Sequence, residues 1–171
     1  MKCLYSLMDD ETRFWMAQQV SDTKYKAHIT PMLSEGKRLA GKAPSTLITD
    51  GAFNFNSAFR HAFWRESKAL AIRHEHHVRF QGYLNNEKTE RMNGEIRDRE
   101  KVVRGVKKDD NPLVRGLQIY HNHIRPRMAL EGKTPAEVAG INVEGSDKWM
   151  TLIQNANRNQ GRKVRTMRET P

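Results

Sequence analysis

Cysteine is nearly absent from the chain, with Cys3 its one representative. A lone thiol excludes an internal disulfide framework and any cysteine-rich zinc site, so the expected setting is reducing and cytoplasmic. Long apolar runs are missing as well. Nothing approaches the roughly 18–20 consecutive apolar residues of a membrane-spanning helix, and no membrane partner is expected. The opening MKCLYSLMDDETR has a short apolar stretch followed at once by acids, without a small-residue cleavage site, and does not read as a signal peptide. Aromatics are sparse at 8%. Trp15, Trp64 and Trp149 are therefore expected to anchor a core or a partner contact rather than to stack on bases. Cys3 itself reads as a small buried residue.

Basic charge is what the chain has in excess: 30 Lys and Arg against 20 Asp and Glu, a formal net charge of +10. Such a balance favours a polyanionic partner, most commonly nucleic acid. The excess is uneven. Residues 73–127 carry 13 basic and 8 acidic side chains, residues 158–171 carry 5 and 1, and residues 1–36 carry 4 and 5. The first part is close to neutral, and the polyanion-binding surface is expected in the second half.

Cys3–Met8 and Phe14–Val20 read as short strands around the polar turn Asp9-Asp10-Glu11-Thr12. Tyr25–Ala40 reads as a helix, with Ala27, Ile29, Met32 and Leu33 apolar and Pro31 awkward in its interior. Ser45–Thr49 is a β-prone run ending at Asp50-Gly51. Asn56–Ser67 reads as a helix with Ala58, Phe59, Ala62 and Phe63 on one face. Ala69–Phe80 holds another strand and the His74-Glu75-His76-His77 stretch. A long helix is expected over Asn85–Arg104, with Met92, Ile96 and Val103 on one stripe and Glu90, Gly94, Arg97 and Lys101 on another. A further helix follows over Pro112–His123. Thr134-Pro135-Ala136-Glu137 has the pattern of a capping box with proline at the first helical position. From Arg158 the chain is polar and basic and reads as an unstructured tail, 158–171, after one domain over 1–157. The order of elements implies a mixed α/β sandwich.

Asp50 and Glu90 stand out as a candidate pair. A strand ending in Asp-Gly puts a carboxylate at the C-terminal edge of a sheet, where ligands of α/β folds gather. Phosphoryl transfer on nucleic acid uses carboxylates because Mg2+ takes hard oxygen ligands. The plain readings are a turn aspartate for Asp50 and a solvated face residue for Glu90. Glu87–Arg91, Glu95–Arg99 and Glu100–Arg104 are i,i+4 pairs of a surface helix. Glu90 falls outside that scheme because Gly94 occupies its i+4 position, which leaves open space beside the carboxylate. His74, His76 and His77 are a weaker metal candidate, more in keeping with a polar strand surface.

Leu47-Ile48-Thr49-Asp50-Gly51 resembles the second-aspartate motif of DDE-type insertion-sequence transposases and integrases. Asn85-Asn86-Glu87-Lys88-Thr89-Glu90-Arg91-Met92-Asn93-Gly94 resembles their glutamate helix, and the two acids lie 40 residues apart, close to that family's spacing. Tyr120-His121-Asn122-His123-Ile124-Arg125-Pro126-Arg127 and Lys133-Thr134-Pro135-Ala136-Glu137 resemble the stretch that follows. The likeness spans roughly residues 3–140. It implies an RNase H-like α/β fold, a mixed sheet flanked by helices, in which Asp50 and Glu90 are catalytic and bind Mg2+ or Mn2+. Arg91, Asn93, Arg97, Lys101 and Arg104 would contact DNA, and the working unit would be a homo-oligomer.

The chain departs from the family at its start. The first strand, which carries the first catalytic aspartate, has no counterpart before Cys3–Met8. Asp9 and Asp10 are the available substitute ligands, although both belong to a turn at the far end of a strand. The implied protein is an impaired transposase core. The alternative is a non-catalytic remnant that binds DNA or dimerises.

Overall fold

In the computed structural model, residues 3–23, 25–50, 52–70, 72–76, 87–102 and 111–168 are described. The chain divides into two compact units, residues 1–117 and 118–171.

The first unit begins with β1 (Cys3–Met8) and β2 (Trp15–Ser21), an antiparallel pair. Their turn is closed by Asp9, whose carboxylate accepts the Thr12 backbone N–H at 2.9 Å and its hydroxyl at 2.6 Å. Leu4 faces Val20 and Leu7 faces Ala17, yet Met8 faces Trp15. Met16 is thus an extra residue, a β-bulge, and it reverses the alternation of side chains at that end of β2. Trp15 consequently joins Val20, Leu4 and Met8 on one face of the pair, while Ala17, Tyr5 and Leu7 face the other.

Helix α1 (Lys26–Ala40) turns Ile29, Met32, Leu33 and Gly36 inward, the i, i+3, i+4, i+7 stripe of an amphipathic helix. It ends at Gly41, which takes the left-handed conformation (φ 66°) that closes many helices. Pro31 stays within α1, on its exposed side. Gly36 has a steric reason: a Cβ there would overlap the Leu7 side chain, so β1 and α1 pack with nothing between them.

Strand β3 (Thr46–Thr49) pairs in parallel with β4 (Arg73–His76) through helix α2 (Phe53–Leu70), which extends three residues beyond the expected span at each end and kinks at Phe63. Ala58, Phe59 and Phe63 are buried from that helix, as its pattern indicates. Helix α3 (Glu87–Val102) follows, with Met92 and Ile96 buried, and then α4 (Pro112–Ile119). Val103, Arg104, Asn85, Asn86 and His77 lie outside the described residues.

Two cores result. Ala17, Ile29, Met32, Leu33, Leu47, Ala58, Phe59, Phe63 and Ile72 form one beneath α1 and α2. Trp15, Val20, Met92, Ile96 and Val114 form the other beneath α3 and α4. The architecture is mixed α/β. Its described strands form two two-stranded sheets, β1–β2 and β3–β4, where one mixed sheet was expected. Among the described residues no ladder joins β1 to β3, and side chains of both sheets meet in the first core.

In the second unit, the helix expected to reach His123 changes at Tyr120 into a π-helical turn over Tyr120–Ile124. His121 and Asn122 are buried there, and the Arg127 guanidinium lies 2.7 Å from His121 Nδ1. The capping box forms in full at α5 (Pro135–Val138), with Thr134 N–H donating to Glu137 at 2.7 Å and Glu137 N–H to Thr134 Oγ1 at 3.3 Å. The expected unstructured tail is helical up to Arg168, as part of α6 (Lys148–Arg168). The helix runs past Arg158, where composition alone pointed to disorder.

Lys148 donates to Glu137 at 2.7 Å. That bond, followed by the Thr134 backbone N–H, lowers the Glu137 carboxyl from its ordinary value to about 2. A carboxyl depressed in the folded state stabilises above its unfolded value near 4.5, and the stabilisation fades as pH falls toward about 2. His123 is depressed by burial and then by Lys148, so protonating it also opposes the fold as pH drops below its ordinary value of 6.5. Acid should therefore loosen the second unit, first through His123 and then through Glu137. Glu137→Ala is expected to cost roughly 1–2 kcal/mol at neutral pH, the worth of a cap plus a charged hydrogen bond, and to flatten the acid limb below pH 4.5. Trp149 fluorescence followed from pH 7 to 2 would measure both effects.

Candidate active site

Asp50 stands immediately after β3 and is exposed. Its Oδ1 accepts the Ala52 N–H at 3.1 Å, a turn that carries the chain into α2. The plain role of a turn aspartate is therefore filled, and the second carboxylate oxygen is not needed for it.

Glu90 lies in the first turn of α3, exposed on the side away from Met92 and Ile96. The helix is docked on β1 and its turn by polar contacts on either side of Glu90. Lys88 Nζ reaches the Asp10 carboxylate at 2.7 Å and the Asp10 carbonyl at 2.9 Å. Ser6 donates its hydroxyl to Asn93 Oδ1 at 3.3 Å. A Cβ built on Gly94 meets nothing within 4 Å, so the open space expected beside Glu90 is present.

Strand β1 relates the two acids. Tyr5 points to the α1–α2 face, its ring edge-on to Phe55 with centroids 5.8 Å apart. Burial, then the charges of Cys3 and Asp50, push the Tyr5 phenol above its ordinary value, and a contact with Asn54 offsets part of this. Ser6, the next residue, points to the opposite face and holds Asn93, one turn beyond Glu90. The surroundings of both carboxylates therefore meet adjacent residues of β1. Asp50→Asn is expected to lower the Tyr5 phenol. Phenolate absorbance against pH, assigned with Tyr5→Phe, checks this, and an unmoved titration would place Asp50 away from β1.

The other expected residues fall as follows. Asp9 is engaged in its own turn and Asp10 with Lys88. Among the described residues, no three His, Cys, Asp or Glu side chains are grouped so as to hold a metal ion. Asn93 is half-buried and accepts the Ser6 hydroxyl of β1. Arg91 is exposed and paired with Glu87 at 2.8 Å, and Lys101 with Asp98 at 3.0 Å. Such pairs are worth little in water and would exchange readily for phosphate. Arg97 is exposed, and Arg104 lies outside the described residues. His74 is engaged structurally, with Nε2 3.0 Å from Thr49 Oγ1 and its ring stacked on Phe59. Of the tryptophans, Trp15 is core, whereas Trp64 is 59% exposed beneath the Lys68 ammonium. Cys3 is half-buried. Lys88, Tyr5 and Ser6 carried no signal in the sequence, because each acts on a partner far away along the chain.

No family model matches the chain, and no curated protein matches it. Among the described residues no helix is long and apolar enough to cross a membrane.

Proposed function

We propose that this chain is the greater part of a DDE-type transposase or integrase core of RNase H-like fold, acting on DNA through Asp50 and Glu90. The observation that carries the reading is that Phe55, at the entry of α2 just after Asp50, meets Tyr5 while Asn93, one turn beyond Glu90, meets Ser6, so both segments touch adjacent residues of β1. The motif order and the basic second half support it. Two carboxylates are a hard-oxygen donor set suited to Mg2+ or Mn2+, which commonly keeps waters and substrate phosphates as its other ligands. When bound, the metal would supply charge stabilisation at the transferring phosphate and activate the attacking oxygen. The chain's own residues would hold the ion, place Arg97 against the DNA backbone and leave clearance at Gly94 for its approach.

Asp50 and Glu90 as a pair, with Asp9 and Asp10 engaged in the β1–β2 turn and with Lys88, fit an impaired core. The division of the described strands into two sheets favours a second reading, a remnant that binds DNA without cutting it. Mg2+-dependent nicking of transposon-end DNA, by this chain and by one extended through the codons upstream of Met1, separates the two. Cutting by either protein supports the catalytic reading. DNA binding that weakens steeply with salt, with no cutting by either, supports the remnant. No binding at all would remove both.

Gly94→Ala tests the clearance. A glycine inside a helix costs about 1 kcal/mol relative to alanine, and no neighbour obstructs the new methyl. Thermal stability is expected to rise while DNA affinity or cutting falls. A rise in both would show that the space serves no ligand.

A further inference from the structure

Helix α2 buries one side and leaves the other open. Ala58, Phe59 and Phe63 sink into the first core. Helical spacing puts Phe53, Arg60, Trp64 and Lys68 on the opposite side, at i, i+7, i+11 and i+15, and all four are exposed. His61 is exposed beside Arg60. The helix bends at Phe63, and beyond the bend the Lys68 ammonium lies 4.5 Å from the Trp64 ring centroid. Two large aromatics thus stand in water: Phe53 is 85% exposed and Trp64 59%. Trp64 was expected in a core or a partner contact rather than on a base, and its exposure removes the first of these. Aromatic and cationic side chains alternate along the line, and none of its described members is acidic or aliphatic. The line begins three residues after Asp50.

We propose that the outer face of α2 is a track for an unpaired DNA strand, with bases stacked on Phe53 and Trp64 and phosphates met by Arg60 and Lys68. Surfaces that hold single strands combine these two elements, an aromatic face for the base and a cation for the backbone. A duplex fits less well. Its bases are stacked on one another, so it would use the cations and leave the rings without a role. The contact between Lys68 and Trp64 is weak in water, so the ammonium can turn to a phosphate while the indole takes a base. Trp64 follows Phe53 by eleven residues, about 16 Å of helix at 1.5 Å per residue. A stacked strand advances ~3.4 Å per nucleotide, so the track holds about five nucleotides. A second copy of the chain is the poorer occupant. In a two-fold contact the same face meets itself, which sets Arg60 and Lys68 against their like. The choice of DNA rests on the proposed function, whereas the track itself requires no cutting at Asp50 and Glu90.

The test is fluorescence anisotropy with the full chain in EDTA, which keeps cutting out of the readout. The labelled probes are an oligothymidylate of about twelve nucleotides, an abasic deoxyribose-phosphate chain of the same length, an oligouridylate and a blunt duplex. Oligothymidylate is expected to bind about tenfold or more tighter than the abasic chain. Phe53→Ala and Trp64→Ala should each weaken it about tenfold, within the range for one stacked base, and leave the duplex and the abasic chain unchanged. Phe53→Tyr and Trp64→Phe should keep most of the affinity, since either ring stacks. Arg60→Gln and Lys68→Gln should each reduce the slope of log affinity against log salt by about 0.7. Urea midpoints should stay in place, because all four positions are exposed. Alanine variants that bind oligothymidylate as the parent does would overturn the proposal. So would equal loss of duplex binding, equal affinity for the abasic chain, or clearly tighter binding of oligouridylate. Duplex binding without any binding of oligothymidylate would remove the track and leave the proposed function standing. Stacking on Phe53 and Trp64 in a chain that never cuts would support the track and count against the catalytic reading.

Discussion

Replacing Asp50 with Asn, or Glu90 with Gln, is expected to abolish metal-dependent cutting by whichever form of the chain shows it, while leaving the fold intact. A metal held by these acids contributes several kcal/mol of transition-state stabilisation, and each 1.4 kcal/mol is about tenfold in rate. The loss should therefore reach roughly a thousandfold. Stability should move by less than about 0.5 kcal/mol, as for other exposed positions. Both side chains are exposed, and Asn keeps the oxygen that accepts the Ala52 N–H. DNA affinity without metal should hold or increase slightly, since a negative charge facing phosphate is removed. Nicking rates, urea unfolding and binding isotherms on the same three proteins would measure this. A variant that cuts as well as the parent would return that residue to its plain role, turn aspartate or solvated helix face.

Trp15→Ala is expected to have the largest effect on stability. Trp15 is 1% exposed and donates its indole N–H to the Ala17 carbonyl at 3.1 Å. It fills the core beneath α3 together with Met92, Ile96 and Val114. Truncating a buried tryptophan leaves a cavity and costs about 3–5 kcal/mol. That is a large share of the roughly 5–15 kcal/mol that holds an ordinary domain folded. Because Met92 and Ile96 are the buried anchors of α3, the same change should loosen the helix that carries Glu90. Trp15→Phe should recover most of the loss. A urea midpoint left unmoved by Trp15→Ala would show that the indole packs nothing.

Much of the local structure was legible because periodicity and caps are local. The stripe of Ile29, Met32 and Leu33 in α1, the Phe59–Phe63 face of α2 and the Thr134–Glu137 capping box each depend on residues within two turns of one another. The tail was misread for a related reason. Polar, basic composition after Arg158 argues against a core, yet a helix that begins at Lys148 continues through it.

What the sequence by itself determined is the inventory: a basic chain, one thiol, an Asp-Gly closing a β-prone run, and a glutamate four residues before a helical glycine. The tertiary structure decided what these face. The bulge at Met16 turns Trp15 toward α3, and no period-2 pattern announces an inserted residue. Lys88 meets Asp10 and Asn93 meets Ser6 across 78 and 87 residues. Those contacts, rather than any motif, dock the helix that carries Glu90 on β1 and its turn. Sheet pairing was equally beyond reach. Hydrogen bonding between strands depends on which edges meet in space, so only the folded chain shows two short sheets sharing one core in place of one continuous sheet.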